Sequence, residues 1–300
     1  MVGCGRVWQA PGMATSGHDH PSYSETFALP AGRPALSDLP TRATPVGPQS
    51  KKDAAAALAE LAPTLEGLQE RLFAQSTAGA QNRLLLVLQG MDTSGKDGVV
   101  KHVLGLVDPG GVSLASFKSP TKEELSHDFL WRIEKQVPPA GVIGVFNRSH
   151  YEDVLIVRVR NLVPEPVWRA RYGAINDFER RLTGEGVTVV KCFLHISADT
   201  QLERLRARLD DPTKYWKYNP ADAAERALWP RYQDAYADAL AECSNPDAPW
   251  HVIPSDRKWY RNWAIAALLT EKLAELDPQY PPPAYDIGTE KDRLTALADV

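Results

Sequence analysis

Apolar residues in this chain follow two rhythms. Between Asp53 and Gln75, Leu58, Leu61, Leu65, Leu68 and Leu72 recur every three or four positions, which predicts an amphipathic helix with one leucine stripe. Two heptads are too few for a coiled coil, so the stripe is expected to pack on its own domain. Short apolar runs of strand character follow at 84–88 (LLLVL), 112–117 (VSLASF), 141–146 (GVIGVF), 187–196 (VTVVKCFLHI) and 251–255 (HVIPS). Helical stretches alternate with them. The pattern places these at 97–106, at 121–136 with Thr121 and Glu124 as a capping box, and at 166–182 with a stop at Gly184. Further helices are expected from an Asp199 cap to Leu209, from Pro220 to Glu242, and from Ser255 or Asp256 to Leu276. Pro278 and the Pro281–Pro283 run stop the last one.

Buried strands separated by helices imply an α/β fold: five parallel strands with helices on both faces, in three layers. Ligands of such sheets bind at the carboxyl ends of the strands, so the loops after Leu88, Phe117, Phe146 and Ile196 should form one rim. Residues 1–50, rich in Pro, Gly, Ser, Thr and Ala and without periodicity, read as a flexible N-terminal extension with room for partial docking. Residues 51–285 form the expected folded domain, with a helical lid over about 199–220, and 286–300 form a C-terminal tail. Met13 opens an alternative start, and His18 and His20 in the extension read as ordinary surface.

Composition narrows the classes. With 43% hydrophobic and 24% charged residues over 300 positions, the chain can bury a sizeable core. It has no apolar stretch of transmembrane length and no signal-peptide pattern. Its net charge of −4 argues against a nucleic-acid or membrane partner, so a polyanion would need a local basic cleft. Cys4, Cys192 and Cys243 form no metal spacing, Cys192 is expected to pack as a small hydrophobe, and a reducing cytoplasm fits best.

The first strand runs into Gly90-Met91-Asp92-Thr93-Ser94-Gly95-Lys96-Asp97-Gly98. A buried strand, a glycine-bounded G-x-x-x-x-G-K loop and a helix make a phosphate-binding loop. Lys96 would reach terminal phosphate oxygens. Asp97 stands where a Ser or Thr hydroxyl ordinarily holds Mg²⁺, and Asp92 adds a carboxylate that would either bind a metal between itself and phosphate or act as a base toward the acceptor. After 141–146 comes Asn147-Arg148-Ser149-His150-Tyr151-Glu152-Asp153. Asn147 is an amide where such enzymes end the strand in a carboxylate, which Glu152 and Asp153 could replace. Arg148 is read as a bidentate phosphate clamp, and His150 as a hydrogen-bonding structural residue in preference to a base. Arg204 and Arg208 share one helix face and, with the Lys214–Lys217 segment, suggest a closing lid; Trp216 and Tyr218 are read as lid packing. Lys118 should lie on the same rim.

Together these segments resemble the polyphosphate kinase type-2 family of P-loop phosphotransferases. QGMDTSGKDG, SFKSPTKEELSHDFLWR, FNRSHYEDVL, HISADTQLERLRARLDDPTKYWK and PSDRKWYRNW match in order across roughly residues 55–283. The resemblance implies a thymidylate kinase-like fold and Mg²⁺-dependent phosphoryl transfer between inorganic polyphosphate and nucleotides. Many members carry FDRS; FNRS followed by HYED looks like the subgroup that phosphorylates both AMP and ADP, with ATP as the final product and GMP and GDP as further acceptors to assay. By position, Asp92, Lys96, Asn147, Arg148, Glu152, Arg204 and Arg208 match the catalytic places, with Asp92 toward the metal. Gly90, Met91, Thr93, Ser94, Gly95, Asp97, Gly98, Lys118 and Arg132 would hold phosphate, and Glu152 and Asp153 the nucleotide. The resemblance also implies a homodimer or homotetramer. An ATP-dependent nucleoside or nucleotide kinase on the same fold is the competing reading, and a non-catalytic polyphosphate binder the third.

Overall fold

The computed structural model describes residues 22–30 and 32–297. Its strands are β1 (Arg83–Gln89), β2 (Val112–Ser116), β3 (Ile143–Asn147), β4 (Val187–His195) and β5 (Trp250–Pro254), in the sheet order β2-β3-β1-β4-β5. All four pairings are parallel, so the carboxyl ends converge on one rim. After β1 the chain crosses to the sheet edge as β2, returns inward as β3 beside β1, and then builds β4 and β5 on the other side. The switch point therefore lies at the end of β1, where the phosphate loop begins.

The helices are α1 (Tyr23–Phe27), α2 (Lys51–Ser76), α3 (Lys96–His102), α4 (Trp131–Glu134), α5 (Glu152–Val159), α6 (Glu165–Gly184), α7 (Ala198–Leu209), α8 (Ala221–Ala227), α9 (Trp229–Glu242), α10 (Lys258–Glu275) and α11 (Ile287–Leu297). Alternation along β1 divides the core in two. Leu84, Leu86 and Leu88 meet Leu65, Leu68 and Leu72 of α2 together with α3 and α10. Leu85 and Val87 meet α5, α6 and α9. The leucine stripe thus packs within its own domain, as two heptads predict, and the three layers stand as expected.

Several local expectations give way to competing chemistry. The capping box at 121 forms, with Thr121 N donating to Glu124 Oε2 (2.6 Å) and Glu124 N to Thr121 Oγ1 (3.2 Å). The helix does not run to 136: Asp128 Oδ1 accepts from Leu130 N (2.9 Å) and diverts the chain, leaving a 3-10 turn at Glu124–Ser126 and the one-turn α4. The stretch expected as one helix over 220–242 is two, broken at Leu228 ahead of Pro230, which lacks an N–H. The helix after the loop ends at His102, and a 3-10 turn at Leu104–Leu106 completes the span. Ser197, not Asp199, caps α7 by accepting from Thr200 N. Asp256 does not begin α10, whose N-cap is Arg257; its carboxylate accepts from Ser197 N (2.9 Å) and Thr41 Oγ1 (2.8 Å).

The expected flexible extension is docked from Ser22 onward in the described residues. Phe27 is fully buried, Leu36 and Leu39 join the core, and Leu36 O and Leu39 O lie 3.0 and 3.1 Å from His195 Nε2. Three spaced apolar residues anchor this segment where periodicity gave no sign of an element. Cys4, His18, His20 and Met13 lie outside the described residues. The tail from 286 carries α11, which buries none of its residues.

One buried polar network shapes the site from below. Lys191, in the middle of β4, donates to Glu179 Oε2 (2.5 Å), Tyr151 OH (3.0 Å) and Cys243 O (2.5 Å). Glu179 Oε1 accepts from Tyr151 OH (2.7 Å) and lies 3.2 Å from His150 Nε2. Burial alone would raise the Glu179 carboxyl, but Lys191 and His150 outweigh it and hold it below its ordinary range. The network fastens the turn that carries Arg148 and Glu152 to β4, α6 and the end of α9, and it gives His150 the structural role its position suggested.

On the opposite face, His251 lies 3.1 Å from Ser24 Oγ and 3.2 Å from Lys191 O. Burial, reinforced by Lys272 and Lys191, pushes it down to about 4. An unfolded histidine titrates near 6.5, so the unfolded chain binds more protons in that interval and stability falls as pH drops through it. Thermal unfolding between pH 7 and pH 4.5 should show a loss of roughly 2–3 kcal/mol from this group. His251→Gln should flatten that part of the curve; an unchanged slope would rule His251 out as its source.

Candidate active site

The loop at the end of β1 is shaped by left-handed backbone. Gly90, Thr93 and Gly95 have φ of +150°, +66° and +108°. Glycine is required at 95 twice over, since a Cβ there would stand 1.7 Å from Arg261 Nη1; at 98 it would stand 2.6 Å from Nη2 of the same arginine. Arg261 is 2% exposed and donates to Ser94 O (3.0 Å) and Asn262 Oδ1 (2.8 Å). Burial, then the neighbouring Arg204, pushes its guanidinium down to about 9. No described carboxylate lies within ion-pair distance of Arg261.

Lys96 is buried at the start of α3, with Nζ donating to Gly90 O (2.8 Å) and Met91 O (3.4 Å). Burial and Arg148 lower its pKa, while Asp92, Glu152 and Asp97 oppose the shift. Thr93 Oγ1 and Ser94 Oγ are buried without a protein partner; Thr93 lines the cavity and Ser94 does not. The Met91 side chain belongs to the core, so only its backbone serves the loop.

Arg148, at φ +63°, projects from the end of β3 between two carboxylates. Its Nη2 lies 2.9 Å from Asp92 Oδ1 and its Nη1 3.9 Å from Glu152 Oε2. Glu152 is pushed up by burial, against the pull of Arg148 and Lys96. With its amide turned to suit its neighbours, Gln89 donates to Glu152 Oε1 (3.2 Å) and accepts from Ser149 N (3.1 Å). Asn147 Nδ2 donates to Asp97 Oδ1 (2.8 Å).

Other expected site residues serve as braces. Arg204 donates to Thr93 O (2.8 Å), Ser94 O (3.1 Å), Ser255 O (2.6 Å) and Asp256 O (3.0 Å), tying α7 to the loop and to the end of β5. Arg132 donates to Lys118 O (2.9 Å) and Asp153 Oδ2 (3.4 Å). Asp153 is also held by Arg171 (3.3 Å), so it is occupied on both oxygens and absent from the cavity wall. Arg208 is on that wall, paired with Asp222 (3.1 Å) and Lys217 O (2.9 Å) inside the lid.

The rim encloses a cavity of about 810 Å³. Its wall carries ten lysines and arginines, Lys96, Lys101, Lys118, Lys214, Lys217, Lys258, Arg148, Arg204, Arg208 and Arg261, against three aspartates, Asp92, Asp97 and Asp222. Lys258 and Arg261 went unassigned in the sequence although they lie in the PSDRKWYRNW segment; nothing in their spacing tells an inward-facing helix cation from a solvated one. Gln201, which donates to Asp92 O (3.2 Å), carries no local signal at all.

Residues 48–281 match the family described as Polyphosphate kinase 2 (PPK2). The chain is 50% identical to the AMP/ADP-polyphosphate phosphotransferase of Meiothermus ruber over 254 residues, 85% of this chain and 94% of that protein. It is 42% identical to the ADP-polyphosphate phosphotransferase of Rhodopseudomonas palustris over 72% of this chain and 78% of that one. The crystal structure of polyphosphate kinase 2 from Arthrobacter aurescens TC1 superposes with a TM-score of 0.89 at 49% identity, covering 92% of this chain and 97% of the other. Fold, loop and sequence agree: the chain belongs to the polyphosphate kinase 2 family.

Proposed function

We propose that the protein is a phosphotransferase that moves the terminal phosphoryl group of inorganic polyphosphate onto AMP and ADP. One observation carries the reading: a chain of net charge −4 gathers ten cationic side chains around one cavity at the end of its phosphate loop. A repeating anion is the ligand that such a concentration of charge suits. The relatives in Meiothermus ruber and Rhodopseudomonas palustris, named for AMP/ADP and for ADP, supply the acceptor class.

The acceptor's phosphate oxygen is already ionised at neutral pH, so transfer needs alignment and charge neutralisation more than a base. The acceptor oxygen attacks the terminal phosphorus in line as the anhydride bond to the shortened polyphosphate breaks. Lys96 and the loop backbone hold the transferring group, while Arg148 and Arg208 face it from β3 and from the lid. Lys118 and Lys258 extend the cationic wall along the donor chain. Glu152, beside Arg148, stands on the acceptor side.

The donor set fits Mg²⁺. Asp92 and Asp97 are wall carboxylates near Lys96, and no group of three or more metal-binding side chains occurs among the described residues. Mg²⁺ typically takes one or two carboxylates and completes its shell with phosphate oxygens and water. When bound it would neutralise charge on the phosphates. Both described cysteines are free and buried, in keeping with a cytoplasmic setting.

Lys96→Ala should lower kcat with polyphosphate and ADP by roughly 100-fold or more; near-normal turnover would defeat the scheme. Glu152→Gln should change AMP and ADP use unequally, read as the ratio of the two kcat/KM values, and equal losses would remove it from acceptor choice. Product formation from polyphosphate in ATP-free buffer separates this activity from an ordinary ATP-dependent kinase.

A further inference from the structure

Two departures from the usual phosphate-loop pattern meet in space. The loop position that ordinarily carries a Ser or Thr hydroxyl is Asp97, and the strand-end position that ordinarily carries a carboxylate is Asn147. Asn147 ends β3 in register with Leu88 of β1, and Asp97 sits in the first turn of α3. There Asn147 Nδ2 donates to Asp97 Oδ1 at 2.8 Å, and both residues line the cavity.

We infer that Asp97 and Asn147 are a charge-transposed pair: Asp97 supplies from the loop helix the carboxylate that elsewhere ends the strand, and Asn147 positions it. Three observations support the assignment. A donor and an acceptor still face each other across the gap, but the negative charge has moved to the loop side. Asp97 has no ion-pair partner within 4.0 Å among the described residues, whereas Asp92 is held by Arg148, and Asp153 by Arg132 and Arg171. One Asp97 oxygen is therefore oriented by an amide with no cation at ion-pair distance, while Lys96 acts on the carboxylate from farther off. Finally, a second carboxylate at 147 would face Asp97 at hydrogen-bond distance, where like charges cannot both ionise freely. The residue types at 97 and 147 therefore constrain each other. Asn147 is a positioning residue, and Glu152 and Asp153 need not replace a missing carboxylate, because none is missing.

The inference rests on the phosphotransferase reading, and its test separates the two. Four variants are compared with the natural chain: Asp97→Asn, Asn147→Asp, the reciprocal swap Asp97→Asn/Asn147→Asp, and Asp97→Ser/Asn147→Asp, which restores the usual arrangement. Each is assayed for kcat and KM with polyphosphate and ADP, and for its unfolding midpoint in Mg²⁺-free buffer. Each single variant should lose roughly 100-fold in kcat, and at least one double variant should recover to within about tenfold of the natural chain. Asn147→Asp alone should unfold about 3 °C lower, with the reciprocal swap restoring the midpoint. Additive losses in both double variants would overturn the pairing, as would full activity of Asn147→Asp alone. A natural chain inactive with polyphosphate would instead defeat the functional reading, while the midpoints would still report on the pair.

Discussion

An arginine buried behind the phosphate loop limits how that loop is built. Arg261 sits where the Cβ atoms of residues 95 and 98 would be, so the two glycines follow from its presence as much as from the phosphate they face. Arg204 reaches the same carbonyl of Ser94 from the other side. Two guanidiniums so close repel, which contributes to the fall of Arg261 toward about 9. The arrangement holds because backbone carbonyls of residues 93, 94, 255 and 256 take up the donors. Carbonyl dipoles satisfy hydrogen bonds without cancelling charge. The excess positive charge therefore stays in the cavity, where an anion completes it.

The same braces connect the loop to α7. Arg204 is a residue of that helix, so α7 is fastened to the loop. Asp256 reinforces that attachment by accepting from the backbone of Ser197, the α7 cap, while Thr41 of the docked N-terminal segment holds Asp256. Beyond Leu209 the packing thins: Tyr215 is 54% and Trp216 77% exposed, and Arg208 of the last α7 turn pairs with Asp222 of α8.

The parts of this molecule that were legible in the sequence are those in which a local pattern has one physical reading. Five apolar strands and the glycine-framed loop belong to that class, as do Lys96 and Arg148. Arg204 shows where local reading stops: its spacing from Arg208 correctly places both on α7, but only the fold shows that both line the cavity and that Arg204 also braces four backbone carbonyls of the loop and the end of β5. Arg132 and Asp153 were drawn to the ligand by their charge, yet they satisfy each other across α4 and α5. Lys191 is the opposite case. A lysine within an apolar strand is conspicuous, but its partners Glu179 and Tyr151 are contributed by distant segments. The N-terminal segment hides for a related reason, since its few anchors, Phe27, Leu36 and Leu39, follow no helical or strand period.

The contrast between an acidic chain and a basic cavity has a consequence for how a polyanion arrives. At physiological ionic strength fields decay over about 8 Å, so acidic side chains elsewhere on the surface repel an approaching anion weakly. Within the cavity neighbouring cations act on one another, Arg148 on Lys96 and Arg204 on Lys258 and Arg261, and burial reduces the screening between them. Burial lowers Lys96, Lys258 and Arg261 alike, and other cations add to each shift. A bound phosphate chain would reverse these shifts together, since each cation gains an anionic neighbour. Binding and protonation of the wall are then linked, and the repulsion among the wall cations becomes affinity for a ligand that spans several of them at once. A single phosphate would relieve only part of that repulsion, which favours an extended anion over an isolated one.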